Sequence, residues 1–343
     1  RDYYASRGLG DVYKRQKEYI IGKNEANQRL DKYLHKLLKE ASNGFLYKML
    51  RKKNITLNGK KAEGVEKLQE GDHVKLFLSD ETFLKFAGQL SVHKDEANVK
   101  LKPVSLSVVY EDEDILIINK PQGMLSQKAK PSDVSANEYI LEYLLDTGAL
   151  TGEDLRTFRP SICNRLDRNT SGLLIAGKSL RGLQEMAECL KDRSMKKYYR
   201  CIVKGTVAEE KKITGYLKKD EGSNQVQIYS KEVPDSRYIE TEYTPVETFS
   251  GGTLLEVHLI TGRSHQIRAH LASIGHPVAG DEKYGDHNWN LTLKKKYGIR
   301  GQMLHAYRLE FPDGRKVTAP VPESFERLTG VDRKIFQREY EQR

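Results

Sequence analysis

The run Ile115-Leu116-Ile117-Ile118, stopped by Asn119-Lys120-Pro121-Gln122-Gly123, is the most restrictive stretch of the chain. Four consecutive apolar residues bounded by turn formers fit a strand covered on both faces, because a strand with one wet face alternates apolar and polar side chains. Covering both faces takes further layers, so this strand belongs inside a large sheet packed by helices. Residues 172–176, 199–203, 241–246 and 254–259 read as further strands, with helical patterns at 136–145, 180–191 and 264–274. Together they predict one large α/β or α+β domain that runs to about residue 328.

The preceding part follows another period. Leu30, Tyr33, Leu34, Leu37 and Leu38 recur at i, i+3, i+4, i+7 and i+8, one stripe of an amphipathic helix. Ser42 or Asn43 can cap a second helix, which turns Leu46, Met49 and Leu50 inward. Ile55-Thr56-Leu57, the pair Asn58-Gly59 and the basic flank Lys60-Lys61 read as a strand and a tight turn, and a last strand covers 73–78. Lys48, Arg51, Lys52, Lys53, Lys60 and Lys61 crowd into this short segment of a chain whose formal net charge is +10. Such a cluster is either a solvated face or a track for a phosphate backbone.

Residues 1–16 have no initiator Met and no clean period, and are expected to be a non-native or disordered leader. The divisions that follow are 18–80 as a small domain, 81–106 as a linker, 107–328 as the large domain and 329–343 as a polar tail. No run approaches the roughly 18 apolar residues of a membrane span. Cys163, Cys189 and Cys201 form neither a zinc pattern nor a disulfide framework, which suits a reducing cytoplasm.

Three clusters can carry chemistry. In Arg165-Leu166-Asp167-Arg168-Asn169-Thr170-Ser171-Gly172 the carboxylate sits in turn-rich sequence, and by itself reads equally as a turn residue. Two arginines flank it, which favours the carboxylate form and keeps it available as a nucleophile. In Lys197-Tyr198-Tyr199-Arg200-Cys201-Ile202-Val203 alternation puts Tyr199 on the more apolar face with Cys201 and Val203, as a core residue or a pocket wall. In Thr261-Gly262-Arg263-Ser264-His265-Gln266-Ile267-Arg268-Ala269-His270 a strand gives way to a helix, with Arg263 at the junction. His265 and His270 are five apart and no Glu follows His265, so no metal site is expected.

The three clusters, with Asn119-Lys120-Pro121-Gln122-Gly123, Gly280-Asp281, Tyr284-Gly285 and Leu304-His305-Ala306, resemble the RluA-type pseudouridine synthases over about residues 107–325. Residues 18–80 resemble the S-four-type RNA-binding module, with Arg29-Leu30-Asp31 opening the first helix. The resemblance implies an α+β fold: a large mixed, mainly antiparallel sheet with flanking helices and a central cleft, plus a small α/β RNA-binding domain. It implies an isomerase that converts uridines of RNA to pseudouridine by base flipping, with no cofactor and no metal. Asp167 matches the essential aspartate, Tyr199 the tyrosine that stacks on the target base, and Arg263 the basic residue that pairs with the aspartate. Arg165 matches an arginine that fills the space of the flipped base, and Arg168, His265, Gln266 and Arg268 are expected to contact RNA. The basic residues of the small domain join them.

Two departures from the family pattern are Asn164, where His is frequent, and Ser126-Gln127, where Val-His is common. They bear on fine substrate contacts. Large-subunit (23S) ribosomal RNA is the expected substrate, transfer RNA the alternative, and a cytoplasmic monomer the expected form. A non-catalytic RNA-binding or ribosome-assembly protein is the rival reading, and it has no need to keep Asp167, Tyr199 and Arg263 together. Whether Asp167 attacks the anomeric carbon, adds to the uracil ring or removes the 2′ proton stays open.

Overall fold

The computed structural model describes residues 16–87, 106–220, 222 and 225–330. These form two compact units. The described part of the first consists of 16–87 together with Leu144–Arg159 and Ser179–Arg181; the rest belongs to the second.

The first unit contains a four-stranded antiparallel sheet in the order β1 (Gln16–Ile20), β4 (His73–Phe77), β2 (Ile55–Leu57), β3 (Lys60–Lys61). Helix α1 (Leu30–Leu37) buries Leu30, Tyr33, Leu34 and Leu37, as the stripe requires. Each fully buried leucine there contributes roughly 1.5–3 kcal/mol. Helix α2 (Asn43–Arg51) is capped by the Ser42 hydroxyl, which accepts from the Phe45 N–H at 3.3 Å.

Two boundaries differ from expectation. The segment read as a linker from 81 begins as helix α3 (Asp80–Ala87), which packs Phe83 and Ala87 into this unit's core, while 88–105 lie outside the described residues. Mixed charge hid the helix, although the Ser79 hydroxyl accepts from the Thr82 N–H at its start. The unit also recruits two distant segments, through Thr157 donating to Glu25 at 2.8 Å and the Leu180 N–H donating to Asn24 at 2.9 Å. The expected leader 1–16 falls outside the described residues except Gln16, the first residue of β1, and so does the tail from 331.

The second unit is built on an eleven-stranded sheet. In chain order its strands are β5 (Val108–Glu111), β6 (Ile115–Lys120), β7 (Ser161–Ile162), β8 (Ser171–Gly177), β9 (Lys196–Lys204), β10 (Lys211–Asp220), β11 (Gln225–Tyr229), β12 (Arg237–Phe249), β13 (Gly252–Leu259), β14 (Leu304–Glu310) and β15 (Lys316–Thr318). The sheet runs β11-β10-β12-β13-β9-β14-β8-β6-β5, with β15 beside β14 and β7 beside β8. Its described pairings are antiparallel except β14 against β8.

Residues Ile115 to Ile118 are buried throughout, so β6 is covered on both faces as its composition demanded. Ile115, Ile117, Leu173 and Ile175 pack with Met186 of helix α5 (Leu180–Lys191), which follows α4 (Ala136–Asp146) in the chain. Ile202 and Leu254 pack with Leu293 of α7 (His287–Tyr297) and Phe325 of α8 (Glu323–Thr329). Helix α6 (Gln266–Ser273) begins two residues later than expected, because His265 adopts a left-handed backbone with φ of 56°.

Candidate active site

Asp167 occupies the loop between β7 and β8, and backbone and side-chain hydrogen bonds fix that loop from several directions. The Ser126 hydroxyl donates to the Leu166 carbonyl at 2.8 Å and accepts from the Leu166 N–H at 3.1 Å. Thus the serine that departs from the family pattern braces the residue before Asp167. Asn164, the other departure, accepts from the Ile175 N–H at 2.8 Å and ties the loop to β8. Lys120 is fully buried, and its ammonium donates to the carbonyls of Pro121, Met124 and Arg168. Burial pulls its pKa down to about 7, while the charge of Asp167 pulls the other way.

Beyond the loop, Gly172 has φ of 110°, and a Cβ there would collide with the Ala306 backbone. Only glycine allows β8 to approach β14 at this point.

The partner of the Asp167 carboxylate is Arg268, not the expected Arg263. Arg268 Nη1 donates to Asp167 Oδ2 at 2.7 Å, while Nε and Nη2 donate to Asp281 at 2.6 and 2.8 Å. Burial opposes the Arg268 charge, but its hydrogen bonds with Asp281 and the charges of both carboxylates outweigh burial and raise its pKa. Asp281 is 1% exposed; burial opposes its charge, yet its hydrogen bonds to Arg268 hold its pKa below the usual carboxylate value. The reason for the exchange of arginines is periodicity. Arg268 lies in the first turn of α6 with its side chain toward the site, whereas Arg263 precedes the helix and, among the described residues, gives only its backbone N–H, to Gln266 Oε1.

Two residues expected at the RNA are committed elsewhere. Arg268 is spent on the two carboxylates, and Gln266 is 2% exposed, bonded to Thr261, Thr241 and the Glu240 carbonyl. His265 does face the site, with Nε2 4.0 Å from Asp167 Oδ1. The Tyr284 hydroxyl accepts from the Val226 N–H at 2.8 Å and lies 2.9 Å from His265 Nδ1, which orients the ring with Nε2 toward Asp167. Burial first, then Arg268 and Lys283, lower the His265 pKa against the pull of Asp167.

Tyr199 is 7% exposed and lines the same cleft as Asp167. Burial and the negative charge of Asp167 push its phenol well above the ordinary value, so it is neutral at physiological pH. The cleft measures about 1080 Å³ and is lined by nine Lys and Arg residues against two carboxylates, Asp167 and Glu282. Arg165 and Arg263 are among the nine, as is Arg168, whose Nε donates to the Gly123 carbonyl at 3.1 Å. Lys48, Arg51, Lys52, Lys53, Lys60 and Lys61, in the first unit, are all exposed. Among the described residues no group of His, Cys, Asp and Glu is placed to hold a metal.

Sequence reasoning missed the roles of Asp281, Tyr284, Lys120 and Ser126. The pattern Gly280-Asp281 with Tyr284-Gly285 was a visible signal, but nothing in it tells that Asp281 reaches back to an arginine thirteen residues earlier.

A model of the RNA pseudouridylate synthase family matches residues 114–273. The Ribosomal large subunit pseudouridine synthase C of Vibrio cholerae serotype O1 is 30% identical over 297 residues, 85% of this chain and 87% of that protein. The Bacillus subtilis protein named Uncharacterized RNA pseudouridine synthase YlyB is 27% identical over 321 residues, 91% of this chain and 97% of that one. Among solved structures, Human RNA Pseudouridylate Synthase Domain Containing 4 shares the fold with a TM-score of 0.53 at 20% identity, over 65% of this chain and 92% of that chain. A likeness in sequence that extends over most of both chains places this protein in the RNA pseudouridine synthase family, isomerases that act on RNA.

Proposed function

We propose that this enzyme isomerises uridine to pseudouridine in large-subunit ribosomal RNA, with Asp167 acting on the target nucleotide. The observation that carries the reading is the Asp167 carboxylate beside the buried Tyr199 in a cleft whose lining is overwhelmingly cationic. A cationic wall favours a polyanion, and the carboxylate that shares it with the buried Tyr199 is the group that meets the sugar or base. The relatives named Ribosomal large subunit pseudouridine synthase C support the choice of RNA.

In the reaction the C1′–N1 bond breaks and a C1′–C5 bond replaces it; C5 loses a proton and N1 gains one. A stacked uridine cannot present C1′ to a carboxylate, so it is extruded at a cost of a few kcal/mol. Arg165, exposed at the cleft, has the planar guanidinium suited to the vacated space. Arg268 holds Asp167 oriented, Tyr199 supplies a stacking face and a neutral hydroxyl, and His265 turns Nε2 toward the carboxylate. The six exposed cations of the first unit, read as an S-four-type RNA-binding domain, draw in the strand by phosphate contacts. We assign the reaction to the cytoplasm, where free thiols such as those of this chain stay reduced.

The deciding experiment incubates the protein with unmodified large-subunit ribosomal RNA and, separately, transfer RNA, and maps pseudouridine chemically. Modification confined to transfer RNA overturns the substrate assignment; modification of neither overturns the activity.

A further inference from the structure

Lys197 and Arg193 line the cleft that holds Asp167. Lys197 precedes Tyr199 by two residues on β9, so both side chains leave the same face of the strand, roughly 7 Å apart along it. Its ammonium rests against Gly262, where a Cβ would lie 3.4 Å from Nζ. Lys197 is half-buried, and burial first, then the positive charge of Arg193, pull its pKa below the ordinary value. Among the described residues neither side chain has a hydrogen-bond or ion-pair partner. Two cations, one half-buried, share this wall of the cleft, and Arg193, with no carboxylate, is the charge that acts on Lys197. That arrangement raises the free energy of the empty protein, and an anion seated between them lowers it.

Arg193 breaks a second, independent rule. It lies two residues beyond the end of α5 with φ of 65°, the left-handed position after a helix that glycine occupies with least strain. An arginine there is less stable than glycine, and local rules of this kind are broken mostly where a side chain is kept for its chemistry.

We propose that Arg193 and Lys197 form a phosphate subsite that grips a phosphodiester of the RNA strand next to the target uridine. The subsite rests on the reading of the cleft as the place where uridine is isomerised. Its location on the strand face of Tyr199 puts the grip beside the base, where a flipped nucleotide's backbone must pass to bring the sugar to Asp167. Holding the backbone there opposes return of the base to the helix.

The test titrates Arg193→Gly, Lys197→Met and the double variant with an unmodified large-subunit ribosomal RNA fragment across a salt series. Glycine fits the left-handed backbone, so the thermal midpoint of Arg193→Gly is expected to hold or rise. Weaker binding by that variant is then not a folding defect. In the double variant the plot of log affinity against log salt is expected to lose roughly 0.7–0.9 of slope, the equivalent of one phosphate. A double variant with wild-type slope and affinity overturns the subsite. Should inorganic phosphate alone bind the wild type, and not the double variant, while the RNA slope is unchanged, the pair captures free phosphate and the strand contact is overturned. Pseudouridine is mapped in parallel on the wild type: its absence sinks the proposed activity, whereas the salt slopes still decide the subsite.

Discussion

Arg268 lies between two carboxylates of unlike environment, giving one hydrogen bond to the accessible Asp167 and two to the buried Asp281. Asp281 thereby fixes the guanidinium plane, and the guanidinium fixes Asp167. Arg268→Met leaves a carboxylate that is 1% exposed without its partner, and is expected to cost about 3–5 kcal/mol. Arg268→Lys keeps the charge but not the fork, and is expected to lose about 1–3 kcal/mol and most of the turnover. Arg263→Lys, at a position where only the backbone is engaged among the described residues, is expected to be as stable as wild type. Urea unfolding of the three variants checks the order, and equal losses at 263 and 268 would contradict it.

Asp167→Asn removes the accessible carboxylate while retaining the loop that Ser126, Asn164 and Lys120 hold. Conversion is expected to fall by at least about 10⁴-fold, with RNA affinity within a few-fold of wild type. Tritium release from RNA carrying 5-³H-uridine measures the first, filter binding the second. Comparable turnover by the variant would remove Asp167 from the chemistry.

Tyr199 enters the reaction as a neutral phenol, because burial and Asp167 disfavour its anion. Tyr199→Phe retains the ring, so RNA binding is expected to persist while turnover drops by about 10²-fold through loss of the hydroxyl. A phenylalanine variant with wild-type kcat would restrict Tyr199 to stacking.

Replacing Lys48, Arg51, Lys52, Lys53, Lys60 and Lys61 with Gln changes exposed side chains and spares the core of the first unit. The salt dependence of RNA binding is expected to flatten by roughly 0.7–0.9 for each phosphate lost. An unaltered slope would mean that these residues are only a solvated face.

Acid stability should follow two buried histidines. Burial lowers His270 and His305 to about 4, against the ordinary value near 6.5. Between those values the unfolded chain binds two protons that the folded chain excludes. Their contribution is therefore complete above pH 6.5 and lost as pH falls toward 4, about 3 kcal/mol for each. Urea midpoints at pH 7, 5.5 and 4.5 should decline in that order, and a flat profile would refute the assignment.

Much of this could be read in the sequence. The apolar run at 115–118, the leucine stripe of α1 and the inward face of Tyr199 each follow from periodicity, which local sequence records directly. Long-range choices are less visible. Arg263 and Arg268 stand in the same turn-to-helix segment, and the choice between them follows from where α6 begins and from Asp281, which a separate loop brings up to hold Arg268 beside Asp167. The same holds for Ser126, whose partner is forty residues away. Helix α3 was missed because its charged residues obscured a short buried pair, Phe83 and Ala87.

The parallel pairing of β8 with β14 sets Ser171 against His305, 134 residues later, and Gly172 against Ala306. Synthesis proceeds from the N-terminus, so the strand entered directly from the Asp167 loop waits for a neighbour made 134 residues later. Most of the sheet closes through hairpins and near neighbours, but this seam closes only once β14 has been made. The order of manufacture thus keeps the carboxylate's supports incomplete on a growing chain, and any product ending before residue 304 lacks the strand that completes them.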